Sequence, residues 1–89
     1  MISQIDEIRA VLKEGHAVIG SKQTLALLRE KKLKKVFLAS NAPAALVQNV
    51  AQYSMITGIP VVPLQQNNEE LGTLCKKPFS ISVIGVQSG

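Results

Sequence analysis

Apolar positions at helical spacing open the chain: Ile5, Ile8 and Leu12 fall on one face. Ser3-Gln4-Ile5-Asp6 has the form of a capping box, with Asp standing in for the usual Glu, and Gly15 is placed to close the helix. His16-Ala17-Val18-Ile19 is a short apolar run and predicts a strand, broken by Gly20-Ser21. Ser21 is the expected cap of a second helix from Lys22 to Lys32, with Leu25 and Leu28 facing inward. Lys35 to Ser40 contains the run Val36, Phe37, Leu38, Ala39, which predicts a strand buried on both faces.

Asn41-Ala42-Pro43 then starts a third helix, with Pro near its first turn. Leu46, Val47, Val50 and Ala51 form its expected buried stripe, and Gly58 with Pro60 ends it. Val61 to Leu64 predicts a third strand, and Pro63 within it points to an edge or a short strand. Asn68 is the expected cap of a fourth helix. Glu69 and Glu70 sit in its first turn, where carboxylates favour the positive end of the dipole, and Lys76, Lys77 and Pro78 end it. From Phe79 to Val86 the pattern turns to period two, with Phe79, Ile81 and Val83 alternating with Ser80 and Ser82, so a last strand is expected there.

Helices thus alternate with short buried strands in the order α-β-α-β-α-β-α-β, without linker, repeat or low-complexity segment. That order predicts an α/β fold, a three-layer α/β/α sandwich around a four-stranded mixed sheet, as a single domain over residues 1–89. Only 3% of the chain is aromatic (Phe37, Tyr53 and Phe79), so the core must be aliphatic. With 46% hydrophobic and 18% charged residues, disorder is not expected.

Charge changes the picture more by its placement than by its sum. The net charge of +4 suggests a polyanionic partner, nucleic acid being the commonest for a small basic domain. Residues 36–68 carry no charged side chain, while Lys22, Arg29, Lys31, Lys32, Lys34 and Lys35 lie between 22 and 35, opposed only by Glu30. Lys76 and Lys77 form a second cluster. Gly20-Ser21 and Asn41-Ala42 both follow strands and open helices, so they are expected on one edge of the sheet, where open α/β sheets bind ligands. A helix N-terminus at that edge offers backbone N–H groups and a positive dipole end. Gly20 allows close approach to a phosphate, and Lys22 adds a mobile cation.

Other chemistries find little support. One cysteine, Cys75, forbids an intrachain disulfide and fits a reducing compartment, and with a single histidine no Cys/His metal site is expected. The carboxylates Asp6, Glu7, Glu14, Glu30, Glu69 and Glu70 fall at helix starts or exposed helical positions. His16 reads as a strand-end residue, and Cys75 as a small buried hydrophobe. No nucleophile–base pair emerges, so neither an enzyme, a cofactor nor a small-molecule substrate is expected. Met1 to Glu14 is too charged for a signal peptide, and no stretch approaches the length of a membrane span. The charge-free middle of the chain is accounted for mainly by buried strands and a helix stripe, rather than by a self-association surface.

Three phrases carry a family resemblance: Ile19-Gly20-Ser21-Lys22-Gln23-Thr24; Phe37-Leu38-Ala39-Ser40-Asn41-Ala42-Pro43; and Glu70-Leu71-Gly72-Thr73-Leu74 followed by Lys77-Pro78-Phe79. Tyr53 and Gly58-Ile59-Pro60-Val61 lie at fitting intervals between them. Together they resemble the archaeal and eukaryotic ribosomal protein family L30e, within the L7Ae kink-turn RNA-binding superfamily, over nearly the whole chain. The resemblance implies an α/β/α sandwich in the cytoplasmic ribosome, a structural constituent of the large subunit. Its implied partners are rRNA, held at a kink-turn or similar bent internal loop, and neighbouring large-subunit proteins. It further implies that the turn Gly20, Ser21, Lys22, with Gln23 next, enters the groove beside tandem G·A pairs. Lys22 and Gln23 would then contact guanine edges or phosphate. The loop Lys77-Pro78-Phe79-Ser80 would pack on an extruded base, with Phe79 as stacking platform, and Asn41 would complete the surface. The superfamily's general pattern has Asn and Glu where this chain has Lys22 and Gln23, and lysine there is familiar in the L30e branch. A helical lysine of other branches is Ala26 here, and no basic tail is expected after the last strand. A kink-turn protein of a small non-ribosomal ribonucleoprotein is the alternative the resemblance leaves open.

Overall fold

Eight elements follow one another as the hydrophobic pattern requires in the computed structural model, which describes residues 4–87. They are α1 (Gln4–Glu14), β1 (Ala17–Ile19), α2 (Ser21–Arg29), β2 (Leu33–Leu38), α3 (Ala44–Thr57), β3 (Val61–Pro63), α4 (Asn68–Leu74) and β4 (Val83–Gln87). Ser3, the expected cap of the first helix, lies outside the described residues. The strands form one mixed sheet in the order β1-β4-β2-β3. β4 is antiparallel to both β1 and β2, with Ile84 opposite both Ile19 and Phe37, while β3 runs parallel to β2. Pro63 sits on the edge strand, where its missing N–H costs no ladder bond.

Because side chains alternate across a strand, the sheet feeds two cores. Phe37, Ile84 and Val86 point to one face and meet Ile8 and Val11 of α1 and Leu71 of α4. Val36, Leu38 and Val83 point to the other and meet Leu28 of α2 and Leu46 and Val50 of α3. The result is the expected three-layer sandwich. Lys35 on β2 reaches back to α1, its Nζ 2.7 Å from Glu7 Oε1 and 5.7 Å from the centre of the Phe37 ring.

Several boundaries and faces differ from the sequence expectation. Gly20, not Ser21, is the N-cap of α2; Ser21 is already helical and makes no capping bond. On that helix Leu28 is fully buried, Leu25 only half-buried, and Thr24, which no hydrophobic pattern would choose, is buried completely with its hydroxyl donating to the Val18 carbonyl at 3.4 Å. α2 stops at Arg29 rather than Lys32. The Lys31 and Lys32 amides turn back to the carbonyls of Leu28 and Leu27, and Lys31 takes a left-handed φ of 60°. α4 ends the same way at Lys76, with φ of 58°. Asn67 caps α4 one residue before the expected Asn68, in a reciprocal capping box with Glu70. In α3 the buried positions are Leu46 and Val50; Val47 and Ala51 are exposed, because a helix without charged residues gives its own pattern little direction.

The last strand is the largest departure. Phe79 is exposed, Ile81 is buried in the α1/α4 core and Val83 in the α2/α3 core, and β4 begins only at Val83. Residues 77–81 bond to α4 rather than to a neighbouring strand: the Lys77 amide donates to the Gly72 carbonyl (2.9 Å) and the Ile81 amide to the Asn68 carbonyl (2.9 Å).

Candidate nucleic-acid interface

Strand directions decide what meets at the sheet edge. β1, β2 and β3 run one way and β4 the other, so the ends of the first three and the start of the fourth share one edge. That edge therefore gathers Gly20-Ser21, residues 39–43, residues 64–67 and the loop before β4. The expectation that Gly20-Ser21 and Asn41-Ala42 share an edge holds, and Phe79-Ser80 of the loop before β4 joins them, with Lys77-Pro78 beside these two along α4. A shallow cleft of about 320 Å³ at this edge is lined by Gly20, Ser21, Pro43, Leu46, Phe79 and Ser80, so the turn and the aromatic loop lie side by side. Lys22 and Gln23 follow on the exposed first turn of α2.

The Gly20 turn has an unusual electrostatic make-up. Gly20 adopts φ 110° and ψ 139°, a conformation open essentially to glycine alone. A Cβ built there meets nothing within 4 Å, so the requirement is conformational rather than steric. No side chain caps α2, and its first turn holds no acidic residue. The amides of Ser21, Lys22 and Gln23 therefore lack an intrahelical acceptor. Lys22 adds a cation at the positive end of the helix dipole, where it is unfavourable for stability. No carboxylate among the described residues forms an ion pair with it. α4 does the opposite, satisfying its first turn with Asn67 and placing Glu69 and Glu70 there. Of these two helix starts, α2 is the one left to receive an external anion. Gly20→Ala is expected to strain the turn by about 1–3 kcal/mol, lowering the thermal midpoint while also weakening binding at the edge. Thermal unfolding alongside a titration checks both, and an unchanged midpoint contradicts the assigned backbone geometry.

Phe79 presents its ring with 55% of the residue exposed, unusual for an aromatic side chain in a domain with so few. Lys77, Pro78 and Ser80 flank it and are exposed too. Asn41 lies at the same edge, but its amide is engaged: Nδ2 donates to Asn68 Oδ1 (3.1 Å) and Oδ1 accepts the Asn68 backbone N–H (2.8 Å). Asn68 and Gly72 are the residues of this region that sequence reasoning missed. A Cβ on Gly72 would overlap the Phe79 carbonyl oxygen and lie 3.2 Å from its carbon and 3.3 Å from Ser80 Cα. Only the unbroken phrase Glu70-Leu71-Gly72-Thr73 hinted at it, since glycine inside a helix needs a reason.

The basic residues do not all belong to this edge. Lys31 and Lys32 precede β2, whose length puts about 17 Å of strand between them and this edge, and Lys34 near its start lies about 13 Å from the edge end. Lys35 is paired with Glu7, and Lys32 lies 3.4 Å from Glu30. Burial pushes the Cys75 thiol up, with Lys77 nearby opposing part of that shift, so it stays protonated near neutral pH. Among the described residues no three His, Cys, Asp or Glu side chains gather where they could hold a metal, and no helix is long and apolar enough to cross a membrane.

Comparison with known proteins agrees in both sequence and shape. The model of the ribosomal protein L7Ae/L30e/S12e/Gadd45 family matches residues 5–89. Large ribosomal subunit protein eL30 of Sulfurisphaera tokodaii is 41% identical over 80 residues, spanning 90% of this chain and 76% of that protein. The eL30 of Sulfolobus acidocaldarius is 36% identical over 80 residues, again 90% of this chain and 77% of the relative. Among solved structures, the Giardia lamblia 15.5kD RNA binding protein superposes with a TM-score of 0.84 at 17% identity, covering 96% of this chain and 71% of that one, a likeness of fold.

Proposed function

Since the chain belongs to the ribosomal protein L7Ae/L30e/S12e/Gadd45 family, we propose that it is a structural constituent of the large ribosomal subunit that binds rRNA and stabilises a kink-turn or similarly bent internal loop. It is not an enzyme, and it works in the cytoplasm, on the ribosome, beside neighbouring large-subunit proteins. The observation that carries the proposal is the shared cleft between the Gly20 turn and the Phe79 loop. A bent loop offers what the edge is built to take: crowded phosphates, purine edges in an opened groove and an unstacked base. The uncapped amides of α2 and Lys22 receive phosphate or guanine edges. Gln23 supplies a hydrogen bond, and the exposed Phe79 ring stacks on the extruded base with Lys77, Pro78 and Ser80 around it. Asn41 holds the edge together from behind. The protein acts by binding the kinked RNA better than the extended form, which shifts the RNA toward the kink.

Titration of a synthetic kink-turn RNA and of a straight duplex across a salt series tests this. The kinked RNA is expected to bind more tightly. Lys22→Ala is expected to weaken binding and reduce the slope of log affinity against log salt by about one. Equal affinity for both RNAs, or an unchanged slope, contradicts the assignment. Cosedimentation with the large ribosomal subunit, rather than with small guide-RNA particles, separates the ribosomal role from that of a small ribonucleoprotein component.

A further inference from the structure

We infer that Gly72 and Asn41 are positioning residues for RNA binding: together they make α4 a bracket that holds the Phe79 ring at the height of the Gly20 turn. The inference rests on the RNA surface proposed above. The loop that carries Phe79 belongs to no strand, since β4 begins only at Val83. It hangs instead from α4 at two points one helical turn apart, through the Lys77 amide on the Gly72 carbonyl and the Ile81 amide on the Asn68 carbonyl. Between these points the Phe79 carbonyl lies so close to α4 that a single methyl group on Gly72 would collide with it. The missing side chain therefore fixes how deeply the loop backbone sits.

The bracket in turn needs an anchor. Asn41, arriving from the end of β2, supplies two hydrogen bonds to Asn68, one to its side chain and one to its backbone N–H. A third link runs alongside, from the Ser40 amide to the Gln66 carbonyl at 2.8 Å. The path Asn41–Asn68–Ile81 joins the centre of the sheet to the aromatic loop through hydrogen bonds. A binding constellation must be held within about 0.5 Å of its productive geometry, so a shift of the loop by a methyl group's radius matters to affinity. In contrast to Lys22 and Phe79, neither residue needs to touch the RNA.

A double-mutant cycle tests this with a synthetic kink-turn RNA and the full chain. Phe79→Ala, Gly72→Ala and Asn41→Ala are measured singly, and the last two again in the Phe79→Ala background. Gly72→Ala is expected to weaken binding about tenfold and Asn41→Ala about threefold, with less than about twofold further loss once Phe79 is already gone. Losses that multiply with that of Phe79→Ala, or single variants that bind like the parent, overturn the inference while leaving the RNA surface in place. A Phe79→Ala chain that binds like the parent overturns the surface and the inference with it. Thermal melts accompany each variant. If Gly72→Ala does not fold at the assay temperature, the exposed Asn41→Ala decides by the same outcomes.

Discussion

Replacing Phe79 by alanine is expected to weaken binding of a kink-turn RNA by roughly tenfold to a hundredfold while leaving the thermal midpoint nearly unchanged. One base–aromatic stack is worth about 1–3 kcal/mol, and each 1.4 kcal/mol is about a factor of ten in affinity. The fold should not notice the change, because the ring is 55% exposed and lies outside both hydrophobic clusters. An exposed aromatic that contributes nothing to its own core is costly to keep in a chain with only three aromatic residues, unless it serves a partner. Phe79→Trp should retain most of the affinity, since stacking tolerates a larger ring. Titration and thermal unfolding of the same preparations check both halves; a fall in stability without a fall in affinity contradicts the role given to the ring.

Phe37→Ala should behave in the opposite way. Phe37 is the largest fully buried side chain, on the inner strand β2, paired across the sheet with Ile84 on one side and Val62 on the other. It stands in the centre of the α1/α4 core with Ile8 and Leu71. Truncating a buried phenylalanine costs about 3–5 kcal/mol, from lost burial and the cavity left behind. A domain of this size holds only about 4–13 kcal/mol in total, so the variant is expected to lose a large part of its stability and, at the lower end, to unfold near room temperature. Urea unfolding measures the loss, and Phe37→Leu should cost much less, about 1.5 kcal/mol or below. A cost under about 1 kcal/mol for the alanine variant would contradict the placement of this residue at the centre of a packed core.

The alternation of helices with short apolar runs was enough to predict the sandwich, because each element's apolar spacing is a local property. Gly20 was legible for a similar reason, since a glycine between a strand and a helix carries its meaning within a few residues; the stacking role of Phe79 came from the family resemblance alone, because its local pattern reads as strand. What failed was less local. The ends of α2 and α4 were read too far along or left vague because Lys31 and Lys76 occupy left-handed positions that glycine usually marks. The period-two run from Phe79 was mistaken for strand because nothing in it reveals that its amides bond to α4. The lysines from 31 to 35 are close to Lys22 in sequence, yet α2 carries the chain from one end of the sheet to the other between them. Asn68 meets Asn41 across 27 residues of chain, a pairing that no local pattern reports, and Gly72 meets the Phe79 backbone through a turn that the period-two run conceals.

The most direct measurement is an amide chemical-shift map of the isotope-labelled chain titrated with a kink-turn RNA. The largest changes are expected at Gly20 to Gln23 and at Lys77, Phe79 and Ser80, with smaller ones at Asn41 and Asn68. Changes concentrated instead on the lysines from 31 to 35, or on Arg9, Lys13 and Lys76 along the groove between α1 and α4, would contradict the assignment of RNA binding to the edge where the turn and the aromatic loop meet.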